Sequence, residues 1–451
     1  MKDEYEVIIG GDDILDDTGG QKERKSWTRI DKLLLIFCAL CDFADGTEID
    51  LPGMMTQQVS CDIELSSWKE GLLKCSLYIA LVISTFIATV LSIRFGRRKL
   101  IIISLDLSAI STIVCAVVAD FNTLLLSRIL LGFCLGLRHT LLYVWVAEMV
   151  SSQQILAKLL MVQSIVYYAG EMWSSVLGFL LLEQIGWRMF ILCSTLPIII
   201  PPIVMLHCCF TEKVGPQIEY SDEKETVTVP NFVGRTTKLG LLFACITFNG
   251  WLTTLLVPAL IKMFNIKEAG SNNNCSVTMT QGQELLLLGL VNFAAIPSTL
   301  LTHCIKGKIG FLKLQGVIAL ICIGNFALML TQESLVVAIL TNFIAKFVYG
   351  ITALNICYVL YDVNYFGTKD FALGSSTACS FGMIGGMAGS TMVAFAPTSS
   401  VIFTALVLSI VQIMVLFSMT EVQEGEMGKV QEEEMGKVQE EEMENGAQTL
   451  K

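Results

Sequence analysis

Three carboxylates stand three residues apart at Asp42, Asp45 and Glu48, in a stretch that is otherwise largely apolar. In a helix that spacing keeps all three on one face. Ionisable groups inside an apolar segment are costly and are functional candidates by default. Facing a cavity, such a stripe can bind a cation or take up a proton, because burial favours the neutral form of a carboxylate. A competing expectation is that Gly46, Asp50 and Pro52 end the segment and leave the carboxylates in water at its outer end.

A later apolar segment supplies the opposite charge. Arg128 and His139 are eleven residues apart, three helical turns, and share a face. Arg138 falls near the middle of its segment, as does Glu171 in the next one. An unpaired arginine at that depth is expensive, so Arg138 is expected to pair with Glu171 or with Asp45. Asp42, Asp45, Glu48, Asp106 and Glu171 outnumber Arg128 and Arg138, which points to a cationic or zwitterionic small organic solute, with protons as a candidate coupling ion. In the second half of the chain, Lys346 is the charge within an apolar run. Asn249, Asn342, Asn355, Tyr358 and Tyr361 are placed to line a polar cavity, and Trp251, Tyr167 and Tyr168 could offer aromatic faces to an organic cation.

The elements that must position these groups are membrane spans. The 451 residues are 53% apolar and 16% charged, against about 25% charged in soluble chains. Apolar runs near the roughly 20 residues that cross a bilayer core cover 32–55, 72–92, 100–119, 124–146, 159–182, 190–210, 238–261, 284–304, 314–330, 335–361, 371–395 and 401–419. The expected fold is an all-α membrane protein of twelve transmembrane helices in two six-helix halves, 32–210 and 238–420. A polar tail, 1–31, precedes them, a charged linker, 211–237, joins them, and an acidic tail, 421–451, of the kind that is usually disordered, follows. The net charge of −11 is mostly an effect of the tails. No basic patch suggests nucleic acid. Most of the fifteen cysteines lie in apolar runs as small hydrophobes; no Cys-x-x-Cys pair stands with partner histidines and the histidines number three, so no metal is expected. No nucleophile–base set or phosphate-binding glycine loop points to an enzyme, and no cofactor is expected.

Arg94, Arg97, Arg98 and Lys99 crowd a short hairpin between the second and third runs, and a second basic hairpin lies at 306–313. The positive-inside bias puts both in the cytosol, together with both termini. The sequon Asn274-Cys275-Ser276 then falls in an external loop, where Asn274 can be glycosylated. The expected location is the plasma membrane or an intracellular vesicle membrane, in contact with lipid, and a monomer is favoured. Gly382, Gly385, Gly386 and Gly389 are expected at close helix crossings.

The hairpin Arg94-x-Gly96-Arg97-Arg98 resembles the loop Gly-x-x-x-Asp-Arg-x-Gly-Arg-Arg between the second and third spans of major facilitator superfamily transporters. Thr89 replaces the glycine, Ile93 the acid, and Gly307 the acid of the second hairpin. Ala44-Asp45-x-x-Glu48 resembles the Ala-Asp-x-x-Glu of the synaptic-vesicle-two-related, SVOP-like branch. Cys61-Asp62 with Leu65-Ser66-Ser67-Trp68, Arg128-x-x-x-Gly132-Phe133, Gly186-Trp187-Arg188 and Ala372-Leu373-Gly374 also fit it. The organic cation and anion transporters are more distant, because their first external loop is long. The synaptic vesicle glycoproteins carry a large luminal domain where this chain has a short loop. The resemblance implies alternating access, with Arg94, Gly96, Arg97 and Arg98 in a cytosolic gating loop. The missing loop acids leave two expectations: transport with a shifted equilibrium, or a non-transporting membrane receptor or scaffold derived from a transporter.

Overall fold

Thr28 and Asp31 bond each other reciprocally, Thr28 N to Asp31 Oδ2 at 2.9 Å and Asp31 N to Thr28 Oγ1 at 3.1 Å, and so cap the first helix. That helix, α1 (Arg29–Ile63), runs on through Gly46, Asp50 and Pro52. The expectation that these residues end the span is therefore corrected. Leu51, Met54, Met55 and Val59 continue an apolar face that is buried, and this packing holds the helix together past its polar positions. The computed structural model describes residues 27–63, 65–150, 152–209, 231–265, 279–306, 308–331, 334–367 and 370–419. The first tail to residue 26, most of the linker (211–230), Asn274, Gly307 and the acidic tail lie outside the described residues.

The basic hairpin joins α2 (Ser67–Phe95) to α3 (Arg97–Val117) through Gly96 at φ 82. Residues with a side chain rarely adopt that region, which explains a glycine between the arginines. α4 (Phe121–Met149) is capped by Asp120, which accepts from the Thr123 amide at 2.8 Å. α5 (Gln153–Cys209) is broken once, at Gly186 (φ 73), into two arms, 153–185 and 187–209. The second arm contains Pro197, Pro201 and Pro202.

In the second half, α6 (Phe232–Asn265) starts inside the range read as linker. α7 (Met279–Phe293) and α8 (Ala295–Ile305) are one span interrupted by a turn at Ala294. Pro297 lacks the N–H that would satisfy the Phe293 carbonyl, which accounts for the interruption. α9 (Phe311–Leu330), α10 (Leu335–Leu360), the short α11 (Val363–Phe366), α12 (Phe371–Phe395) and α13 (Thr398–Met419) complete the described chain. Among the described residues, ten helices are long and apolar enough to cross a membrane. One of them is α5 with its two arms, and α1 is long enough although its acidic stripe lowers its hydropathy, so the set is consistent with twelve spans. Exposed Phe403, Val407, Ile410, Met414 and Phe417 recur every three or four residues along α13, an apolar face suited to lipid.

The buried apolar residues form two main layers at opposite ends of the bundle. One joins Leu34, Phe37 and Cys38 of α1, Leu142 and Val146 of α4, and Leu354, Leu360 and Tyr361 from the second half. The other joins Leu51, Met55 and Val59 of α1, Leu182 and Phe190 of α5, and Val257, Ile261 and Leu285 from the second half. Each layer contains residues of both halves. The acidic residues Asp42, Asp45, Glu48 and Asp50 lie on the stretch of α1 between Cys38 and Leu51.

Candidate functional site

Between the two apolar layers, α1, α4, α5 and α10 bring buried charges together. Gly46 on α1 faces the Tyr167 carbonyl of α5, and Gly170 on α5 faces the Phe43 carbonyl of α1. No side chain separates the two backbones there, so the charged residues next to these glycines sit at the crossing. Thr47 Oγ1 donates to the Phe43 carbonyl at 2.8 Å and also approaches the Gly170 carbonyl at 3.4 Å.

Arg138 is fully buried, as Asp42 and Glu48 are, and Asp45 is 4% exposed. Arg138 Nε donates to Asp45 Oδ1 at 2.8 Å, its Nη2 bonds the same oxygen, and its Nη1 donates to Ser108 Oγ at 3.1 Å. Of the two partners expected for Arg138, Asp45 is the one it meets. Glu48 Oε2 lies 3.7 Å from the same guanidinium, and neither of its oxygens accepts a hydrogen bond from the described residues. Two carboxylates therefore share one arginine, and Asp45 holds the better geometry. Asp42 accepts from the Tyr143 hydroxyl at 3.2 Å. Arg128 is buried near the end of α1 and donates to Met55 Sδ at 3.0 Å. His139 packs edge-on against Tyr143, with ring centroids 5.1 Å apart.

Glu171 does not reach Arg138. It accepts from Lys346 Nζ of α10 at 2.8 Å, an ion pair between the two halves. Lys346 also donates to Thr254 Oγ1 of α6 at 2.6 Å. Nearby, Asp50 accepts from Asn292 Nδ2 at 3.0 Å, a second link between halves. Asp50, Glu171, Tyr78, Tyr167, Trp251 and Thr254 line a cavity with room for about one water. Asp50 was not singled out as a site residue from sequence, where it stood as a helix breaker. The signal was available, since apolar Leu51, Met54 and Met55 continue the helical pattern beyond it.

Other expected residues lie elsewhere. Asp106 is 43% exposed beside His207 at 3.7 Å, away from the buried charges. Asn249 donates to Ser409 Oγ at 3.1 Å and Asn342 to the Thr253 carbonyl at 2.7 Å, bonds that tie helices together within the second half. Tyr361 stacks on Tyr143 at 5.1 Å and closes the end of the bundle nearest the basic hairpin. Tyr358 meets His303 Nδ1 at 3.0 Å. Trp251 and Tyr167 do line the central cavity, and Tyr168 lies against Lys346 at 5.4 Å. In the hairpin, Arg97 pairs with Glu148 at the end of α4, Arg94 is exposed over Phe95, and Arg98 Nε has no acceptor among the described residues. The glycines of α12 sit at close crossings as expected, with Gly385 against the Ala244 carbonyl and Gly389 against that of Phe248.

At the opposite end, Asp62 accepts from Trp187 Nε1 at 2.8 Å and from Arg188 Nη1 at 2.7 Å. This clasp lies beyond the span, where the Trp187 indole N–H and the Arg188 charge hold the Asp62 carboxyl below its ordinary value of 3.8.

Known proteins share this arrangement of helices. The sequence profile of the Major Facilitator Superfamily matches residues 71–390. Synaptic vesicle glycoprotein 2B of Mus musculus is 25% identical over 187 residues, which is 42% of this chain and 26% of that protein. Synaptic vesicle glycoprotein 2A of Rattus norvegicus is 26% identical over 208 residues, 44% of this chain and 27% of that protein. The matches thus span about a quarter of each relative's length. The crystal structure of the human organic anion transporter MFSD10 superposes with a TM-score of 0.63 at 16% identity, covering 86% of this chain and 99% of that one. A D-xylose-proton symporter gives 0.63 at 15% identity, covering 86% and 97%. At such identities the likeness is one of fold.

Proposed function

The chain belongs to the Major Facilitator Superfamily, and from that premise we propose that it moves a small organic solute, cationic or zwitterionic, by alternating access with proton coupling. The observation that carries this reading is the layer of buried charge between two apolar layers that both halves build. A solute path has to cross that layer, and opening either end means parting residues of the two halves. Glu48 supports proton coupling: it is fully buried, accepts no hydrogen bond and shares Arg138 with Asp45. A proton taken up there ends the competition for Arg138 and leaves Asp45 as its carboxylate partner. Arg128, beside Met55, and Glu171, paired with Lys346, complete the proposed coupling set. On this reading Arg94, Gly96, Arg97 and Arg98 form the cytosolic gating loop, both termini are cytosolic, and the protein works as a monomer in a plasma or vesicle membrane.

The second reading, a receptor or scaffold without flux, is favoured by Ile93 and Gly307 in the places of the hairpin acids. The pair Arg97–Glu148 weighs against it, because the basic half of the hairpin still has an anchor. The test is uptake by transfected cells of mixed organic cations, zwitterions and anions across an imposed pH gradient. The control is Asp45→Asn/Glu48→Gln. Accumulation that depends on the gradient and disappears in the control supports coupled transport. Accumulation that persists in the control removes the coupling site, and no accumulation by well-expressed protein supports the receptor.

A further inference from the structure

Lys346 is 1% exposed, and its ammonium is surrounded by a particular set of groups. Its Nζ donates to Glu171 Oε2 at 2.8 Å and to Thr254 Oγ1 at 2.6 Å. The rings of Tyr168 and Tyr349 lie 5.4 and 5.6 Å from it. A carboxylate, a hydroxyl and two aromatic faces are what recognises an alkylammonium ion. The cage is drawn from both halves, with Glu171 and Tyr168 on α5, Thr254 on α6 and Tyr349 on α10. It adjoins the central cavity, since Glu171 and Thr254 line both.

The cavity adds a second carboxylate. Asp50 is 5% exposed, lines the cavity and accepts one amide hydrogen bond, from Asn292, but has no ion-pair partner among the described residues. Asp50 and Glu171 thus face a single ammonium, that of Lys346. Asp45 and Glu48 are matched in number by Arg138, which engages both, and by Arg128, which also acts on Glu48, so that cluster does not make up the difference. An anion entering here would meet two carboxylates. A monocation would meet one unbalanced negative charge, with Tyr78, Tyr167, Trp251, Ile49 and Leu255 around its apolar part.

Resting on the transporter reading, we propose that the cavity binds a small organic monoamine through its ammonium group, with Asp50 as counter-ion, and that this ligand competes with Lys346 for Glu171. Lys346 is then the tethered occupant of the substrate's own cage. The Lys346–Glu171 pair links the two halves, so a ligand that takes Glu171 from Lys346 also unfastens α5 from α10. Binding energy is spent on the conformational change because the ligand's contacts differ between the linked and unlinked states. The cavity has room for about one water while the pair is formed. Admission of an amine and release of Lys346 are therefore one event.

The experiment uses the full chain purified in detergent, with phenethylammonium, 3-phenylpropionate and 3-phenylpropanol as probes of similar shape and different charge. Thermal unfolding and equilibrium binding are read together. Phenethylammonium is expected to raise the melting temperature where the other two do not, and Asp50→Asn is expected to weaken its binding by about tenfold or more. Lys346→Met is expected to melt earlier on its own, yet to bind phenethylammonium several-fold more tightly than wild type and regain stability with it. A gain in affinity cannot come from misfolding, so this variant keeps the test decisive if Asp50→Asn folds badly. The proposal is overturned if the anion or the alcohol stabilises as well as the amine or if none of the three does. It is equally overturned if Lys346→Met binds the amine no better than wild type. Uptake of the same probes into proteoliposomes separates the two claims. Amine binding without flux keeps the site and removes the transporter, whereas flux of only the anion or the alcohol keeps the transporter and removes the site.

Discussion

Arg138 holds Asp45 by two nitrogens, while Glu48 waits 3.7 Å away without a hydrogen bond. The two carboxylates should therefore respond differently to neutralisation. Asp45→Asn removes the main partner of a fully buried guanidinium and is expected to cost about 3–5 kcal/mol. Glu48→Gln removes a charge that competes for a guanidinium already bonded, and is expected to change stability by less than about 1 kcal/mol. Melting curves of the two variants in detergent, alongside Asp45→Asn/Arg138→Gln, check this; equal losses for Asp45→Asn and Glu48→Gln would contradict the geometry. The stripe itself was legible, because spacing of three fixes a helical face. The choice between Asp45 and Glu171 for Arg138 was not, because depth in a span does not tell which neighbouring helix a side chain meets. Lys346, 175 residues from Glu171, claims that acid. Asp50 was hidden by its reputation as a helix breaker. Five residues beyond Asp45, it lies about 140° around the helix from it and so faces the other half of the protein.

At the scale of helices, the crossing of α1 and α5 depends on two glycines whose missing side chains let backbone meet backbone. Gly170→Val puts atoms against the Phe43 carbonyl and the Thr47 amide, neither of which can swing aside. This variant is expected to abolish the monodisperse peak in fluorescence-detected size exclusion. Gly316→Ala on α9, where a Cβ meets nothing within 4 Å, is expected to leave the peak intact. The clasp of α1 to the second arm of α5 gives a pH prediction. Asp62 has its carboxyl lowered from 3.8 by the Trp187 indole and by Arg188. A lowered folded value means the contribution is complete above the unfolded value and is lost as pH falls through the lower folded one. The melting temperature of wild type should therefore drop more than that of Asp62→Asn below about pH 4, and parallel curves would show that the clasp carries no weight. The spans were legible because roughly twenty apolar residues can do little else in a bilayer. Their ends were less so. α1 continues to Ile63 because apolar packing, invisible in a hydropathy profile, outlasts its polar positions, and the break between α7 and α8 follows from Pro297, one residue inside an apolar run.

For the whole molecule, closure at both ends and the link at the centre belong together. Tyr143 on Tyr361 closes one end, the layer around Leu51, Phe190 and Val257 closes the other, and Lys346–Glu171 fastens the middle. Two related halves could be expected from paired basic hairpins and twelve apolar runs, but the side chains that join them could not, because no periodicity within one half encodes its contacts with the other. If Lys346–Glu171 is the central fastening, what matters is the pairing of opposite charges across the halves and not which half carries which sign. Glu171→Gln leaves a buried ammonium with Thr254 and two rings, and Lys346→Gln leaves a buried carboxylate beside Asp50. Each single change is expected to cost about 3–5 kcal/mol, as breaking a buried pair does. The exchange Glu171→Lys/Lys346→Glu restores an opposite-charge pair and is expected to recover more than half of either loss in the melting temperature. It also moves the acid onto α10 and the ammonium onto α5, so the cage around the ammonium is dismantled even though the pair is rebuilt. Stability should therefore return while binding of an amine does not. Recovery of both would mean that net charge suffices and the cage is incidental, whereas recovery of neither would mean that the two side chains are not partners.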